Sequence, residues 1–164
     1  MNKLKKVTTN NSEAMLAVDV QNGCVDCNVD EFDIVAWAEC AYRSVANQEK
    51  ECVIRMVDES EGHALNQQFR NKDYATNVLS FTYDSPVADS DEVPYLGDIV
   101  ICYPVIQRES EEQEKTLSSH LTHMVVHGIL HLCGYDHEEN EEAEKMEQLE
   151  IEILAKLNIL NPYS

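Results

Sequence analysis

The sequence predicts an α+β fold, a small mixed four-stranded sheet packed with helices. Three observations carry that expectation. Apolar periodicity switches between 2 and 3.6 residues along the chain, in the order strand–helix–strand–helix–strand–strand and then only helices. The last two strands are joined too briefly for a crossover helix, so one strand should run antiparallel to the others. The chain has 164 residues, of which 43% are hydrophobic, enough to bury a core without staples. No internal repeat or linker divides it, so a single domain over residues 1–164 is expected, with 1–12 a flexible tail.

Met15 to Gln21 alternates Leu16, Val18 and Val20 and reads as the first strand. Asp30 to Val45 sets Phe32, Val35, Trp37 and Ala41 among polar residues, an amphipathic helix with Asp30 as N-cap. Cys52 to Val57 is the second strand, and Ser60 to Arg70 a short helix through Leu65 and Phe69. Asn77 to Tyr83 and Tyr95 to Tyr103 are strands joined by an acidic loop, Ser85 to Glu92. Helices follow: a piece beginning near Pro104, one from about Thr116 to Cys133, and one from about Glu141 to Leu157. The first two strand–helix–strand connections can be right-handed crossovers. Glu138 to Glu152 holds eight glutamates, expected as a solvated face over a buried stripe of Ala143, Met146, Leu149, Ile153 and Leu157.

Charge narrows the function. Thirty-one acids against twelve bases give a formal charge of −19, which argues against a basic coat for nucleic acid or an anionic membrane but leaves room for a local basic site. No stretch approaches the roughly 20 apolar residues of a membrane span. The apolar run after the N-terminal lysines is broken by Asp19, so no secretory signal is expected and the cytoplasm is the expected compartment. There, six scattered cysteines should be free thiols, Cys24 and Cys27 included: no second CxxC completes a zinc knuckle.

The informative segment is His127-Gly-Ile-Leu-His131-Leu-Cys-Gly134-Tyr-Asp136-His137. Residues four apart on a helix leave from one face, so the imidazoles of His127 and His131 can share one ion. Gly134 stands where a helix favours φ > 0, and the turn there can bring His137 back. Three neutral imidazoles with one open position make the layout of a catalytic zinc site, although nickel, copper or iron also suit such ligands. His120 and His123 share the stripe; His123 could pair with His127 instead, but the turn at Gly134 places His137 nearest the C-terminal end of the helix, and for both polar packing or a contact behind the ligand rings is expected. His63 receives no role. Asp136, beside His137, is a candidate hydrogen-bond partner of a ligand ring or a proton acceptor.

The spacing HxxxHxxGxxH belongs also to zinc peptidases whose HExxH glutamate is the general base. Here that position is Gly128, which cannot accept a proton. A metal-dependent hydrolase of other bonds is therefore expected over a metallopeptidase. Cations are scarce, yet Arg55, Arg70 and Lys72 fall within eighteen residues. A guanidinium there could hold phosphate oxygens.

The histidine segment, preceded by Thr76-Asn77-Val78-Leu79-Ser80-Phe81 and Leu96-Gly97-Asp98-Ile99, resembles the YbeY family of bacterial metal-dependent endoribonucleases. The resemblance implies a small α+β domain with a zincin-like metal site on a helix and the following turn. It implies His127, His131 and His137 as ligands, usually of zinc, and Arg70 as the functional arginine. It further implies a cytoplasmic enzyme cleaving single-stranded RNA, maturing the 3′ end of small-subunit rRNA and serving ribosome quality control. Ribosomal RNA, the ribosome or small-subunit assembly proteins would be its partners, and no membrane. The family usually has Pro where this chain has Ala75, and often where it has Thr82, changes expected to loosen that loop. Outside enzymes, the alternative is a ribosome-associated metal-binding assembly factor with little catalysis.

Overall fold

The computed structural model describes residues 15–83 and 93–164; the expected N-terminal tail and the acidic loop 85–92 lie outside the described residues. Nine elements follow in order: β1 (Leu16–Asn22), α1 (Glu31–Val45), β2 (Lys50–Val57), α2 (Glu59–Arg70), β3 (Val78–Thr82), β4 (Tyr95–Cys102), α3 (Tyr103–Glu112), α4 (Leu117–Leu132) and α5 (Asn140–Lys156). Asp30 caps α1 as expected, its carboxylate accepting from the Phe32 amide at 2.9 Å.

The sheet order is β1-β2-β4-β3. β1, β2 and β4 are parallel and β3 is the antiparallel edge strand. The expected antiparallel strand is therefore β3. The second crossover is not formed: the chain leaving α2 enters β3, which hairpins onto β4, and β4 rather than β3 becomes the parallel neighbour of β2. A strand whose only partner is reached through a short connection must run antiparallel to it.

One face of the sheet packs on α1 and α4. Ile54, Met56, Ile99 and Ile101 from the strands meet Ile34 and Tyr42 of α1, Val125 and Ile129 of α4, and Met146 and Ile153 of α5. The other face carries a smaller cluster of Val57, Leu79, Val100, Cys102 and Val105, with Leu65 of α2 packed against it. Phe32, placed on the apolar stripe of α1, is instead 66% exposed: the buried residues of the helix are Ile34, Val35, Ala38, Glu39, Ala41 and Tyr42.

α4 is buried along most of its length, as a central helix must be. It approaches β4 closely at Gly128: a Cβ there would lie 3.0–3.3 Å from the Ile99 side chain. Position 128 thus faces the sheet. Gly128→Ala should overpack this contact and lower stability by roughly 1–3 kcal/mol, measured by urea unfolding; unchanged stability would mean the sheet yields freely there.

On α5, Glu150 corrects the expectation of a wholly solvated acidic face. It is fully buried. At 100° per residue, position 150 lies about 40° from Met146 and about 60° from Ile153, on the buried stripe, and polar partners rather than water receive its carboxylate.

Candidate metal centre

Thr116 caps α4, its hydroxyl accepting from the Ser119 amide at 3.1 Å. The helix then carries His120, His123, His127 and His131 in a ladder, with successive ring centroids 6.4, 6.3 and 4.5 Å apart. The helix closes at Cys133. Gly134 takes φ +98°, its amide donating to the His131 carbonyl at 3.0 Å, and the Tyr135 amide donates to Leu130 at 3.1 Å. This left-handed turn is the one a side chain resists and glycine permits. It returns His137 to 5.1 Å from His131 and 5.6 Å from His127, centroid to centroid.

His127, His131 and His137 each offer a ring nitrogen within 4.8 Å of the other two. The Nε2 atoms of His127 and His131 are 3.0 Å apart. A tetrahedral ion with Zn–N bonds of 2.0–2.1 Å spaces its nitrogens at about 3.3 Å, so the three imidazoles fit such an ion with small adjustments. The His131 ring is held below the ordinary imidazole range, first by burial and then by the neighbouring His127 and His137, which keeps it neutral and free to ligate.

The inner rings are occupied. His123 Nε2 lies 2.7 Å from Glu150 Oε2, and His127 Nδ1 lies 2.6 Å from Oε1. The Tyr163 hydroxyl donates to Oε2 as well. Burial alone would raise this carboxyl, but hydrogen bonds from His123, His127 and Tyr163 outweigh it and hold it down to about 2. His120 is likewise buried and meets Glu109 at 3.0 Å. Both inner histidines thus pack against carboxylates, as expected. Glu150 and Tyr163 escaped the sequence reading. The helical phase of position 150 was a usable signal; Tyr163 reaches the site only because the C-terminal segment folds back across α4.

Asp136 accepts from the backbone amide of His137 at 2.7 Å, while its carboxylate stands 4.0 Å from that residue's Nδ1. Its contact holds the turn, not the ring.

Arg70 ends α2, where Asn71 takes a left-handed cap. Its guanidinium donates from Nη2 to the Ser80 carbonyl at 3.0 Å and lies 5.1 Å from the Phe81 ring centroid. No carboxylate ion-pairs with it among the described residues. Arg55, by contrast, is clamped by Glu61 at 2.8 and 2.9 Å, and Arg108 by Glu59. Arg70 and the three histidines line one cleft of about 680 Å³, with Thr76 to Ser80 of the β3 edge along its wall. The loop before β3 is pinned despite Ala75: the buried Asn66 donates to the Tyr74 carbonyl at 2.6 Å, Asn77 donates to Glu109 at 3.0 Å, and His63 pairs with Asp73 at 2.7 Å. All six cysteines are free, Cys24 and Cys27 included.

With this geometry, the comparisons agree on one family. The YbeY family, described as Endoribonuclease YbeY, matches residues 19–158. Curated relatives named Endoribonuclease YbeY include one from Pseudomonas putida (strain W619), 50% identical over 150 residues, spanning 92% of this chain and 94% of the relative. Another, from Stenotrophomonas maltophilia (strain R551-3), is 55% identical over 119 residues, 71% of this chain and 74% of the relative. Among solved structures, a Thermotoga maritima protein studied in solution superposes with a TM-score of 0.54 at 27% identity, covering 86% of this chain and 91% of its own.

Proposed function

Given that the chain belongs to the YbeY endoribonuclease family, we propose that it is a metal-dependent hydrolase domain that cleaves single-stranded ribosomal RNA, with His127, His131 and His137 as ligands and Arg70 on the phosphate. The observation that carries this reading is the shared cleft, which opens the ring nitrogens and a guanidinium with no carboxylate partner among the described residues to the same space. His127, His131 and His137 would hold a divalent ion, zinc by the family resemblance, and the bound ion would supply Lewis-acid polarisation of a phosphate oxygen or of water. Arg70 supplies a planar fork for the remaining phosphate oxygens and for negative charge that grows in the transition state. The glutamate-rich outer face of α5 repels RNA and leaves the cleft as the approach. Its substrate would be the 3′ end of small-subunit rRNA, met in the cytoplasm on the ribosome or its assembly proteins, with a part in ribosome quality control. Among the described residues no helix is long and apolar enough to cross a membrane.

Cleavage of a single-stranded rRNA-like oligonucleotide by metal-replete protein, compared with His131→Ala, tests the reading. Metal binding without cleavage would favour an assembly factor. A metallopeptidase is disfavoured because position 128, the place of the peptidase base, faces Ile99 of the sheet.

Two further outcomes are expected. Acidification should release the ion, since protons compete for imidazole from about pH 6.5 downward and a protonated ring cannot ligate. His131, whose proton is held less tightly, should be the last to yield. A metal-content titration that is flat from pH 7 to pH 5 would contradict this histidine ligand set. The chain's charge of −19 predicts weak RNA binding with a shallow dependence of log affinity on log salt, corresponding to a few ion pairs. A slope matching on the order of ten phosphates would reveal a basic surface other than the cleft.

A further inference from the structure

We infer that Glu150 is a positioning residue for the metal centre: through its Oε1 it fixes the proton of His127 on Nδ1 and so bares Nε2 toward His131 and His137. The inference rests on the three-histidine reading of the site.

An ionised carboxylate only accepts, so each close contact to Glu150 must be donated by its partner. Three partners converge on it: His127 Nδ1 at 2.6 Å, His123 Nε2 at 2.7 Å and the Tyr163 hydroxyl. His123 Nδ1 is buried without a partner, so that ring's single proton belongs on Nε2, where an acceptor waits. The same rule puts the His127 proton on Nδ1. A neutral imidazole then has its lone pair on Nε2, the atom 3.0 Å from His131 Nε2 and inside the cleft. A histidine with the opposite tautomer would point an N–H at the ion and could not ligate through that atom.

Glu150 itself is held from the far side. It sits on α5, fully buried, while His123 and Tyr163 anchor its Oε2. The carboxylate therefore sets both the tautomer and the rotation of the His127 ring before any ion arrives. His123, His127 and Glu150 could alternatively be read as a cation site of their own. Contacts of 2.6 and 2.7 Å between the imidazole nitrogens and the carboxylate are hydrogen-bond distances, with a proton rather than an ion between them.

The test uses nitrogen–proton correlation spectra of 15N-labelled, metal-free full-length protein, at a pH where the imidazoles are neutral, with zinc titrations beside them. In the wild type, His127 should carry its proton on Nδ1. In Glu150→Gln, whose side chain can donate as well as accept, that tautomer should lose its dominance, and zinc affinity should fall about 10- to 100-fold. His120→Gln, at a ring that meets Glu109 and not Glu150, should keep the tautomer and bind zinc within about threefold of wild type. A purely structural Glu150 would alter melting and leave the tautomer and the affinity unmoved. A wild-type His127 protonated on Nε2 overturns the inference, as does a folded Glu150→Gln with unchanged zinc affinity, or two ions per chain with His123 as a ligand. If Glu150→Gln does not fold, the wild-type spectrum still decides. If the wild type takes up no zinc, the metal reading fails separately, while the tautomer continues to report on Glu150.

Discussion

The doubly substituted protein His127→Ala/His131→Ala should purify without stoichiometric metal, whereas the wild type should hold about one divalent ion per chain. Elemental analysis of the two proteins measures this directly. The two rings supply two of three nitrogens that lie within 4.8 Å of one another, and His137 alone, on an exposed turn, cannot retain an ion against water. RNA cleavage should fall with the metal. Lewis-acid stabilisation is worth several kcal/mol, and roughly 4 kcal/mol corresponds to a loss on the order of a thousandfold. The double change also removes the His127 contact to Glu150, so folding must be checked separately. His131→Ala serves that purpose: its ring is half-buried and packs edge-on against the other two imidazoles, so it should melt near the wild-type temperature while losing most of its metal. Stoichiometric metal in the double variant would remove these histidines from the ligand set.

Arg70→Ala should retain metal and nearly all its stability while cutting the cleavage rate on the order of a hundredfold. Loss of one charge-assisted contact to a developing anion costs roughly 2–4 kcal/mol of transition-state stabilisation. The structural cost should be small. The exposed guanidinium holds one carbonyl, Ser80, and lies over the Phe81 ring, interactions worth about 1 kcal/mol together at a wet surface. Arg70→Lys should recover only part of the rate, since an ammonium cannot reproduce the planar fork. Steady-state rates on a single-stranded oligonucleotide, paired with thermal melts and metal content, separate the outcomes. Full turnover in Arg70→Ala would strike it from the catalytic list and leave the metal centre standing; parallel loss of rate and stability would make it a strut between α2 and β3.

Much of the site was legible because its geometry is local. His127 and His131 share a face through helical pitch alone, and Gly134 marks the turn that returns His137, so neighbouring residues suffice to bring three rings together. Two helix starts were legible for the same reason: Asp30 and Thr116 cap their helices within the first turn. Glu150 was half legible. Its phase matches Met146 and Ile153, but seven other glutamates in Glu138 to Glu152 obscured it, and charge normally argues for solvent. Only His123, His127 and Tyr163, brought in from 13 to 27 residues away in sequence, make its burial tolerable.

By itself, then, the sequence determined the α+β class, the order of the elements, and the three-histidine cluster at the end of α4, because each depends on periodicity, caps and one permissive glycine over a few residues. The tertiary structure decided the rest. It made β3 the antiparallel edge rather than a crossover partner, since strand pairing is settled by competition among distant segments for one sheet. It brought Arg70 to the histidines across that edge, and it buried Glu150 behind His127. Those contacts join residues separated by tens of positions, and their energies come from desolvation and donor supply, which exist only once α2, α4, α5 and the C-terminal segment have packed.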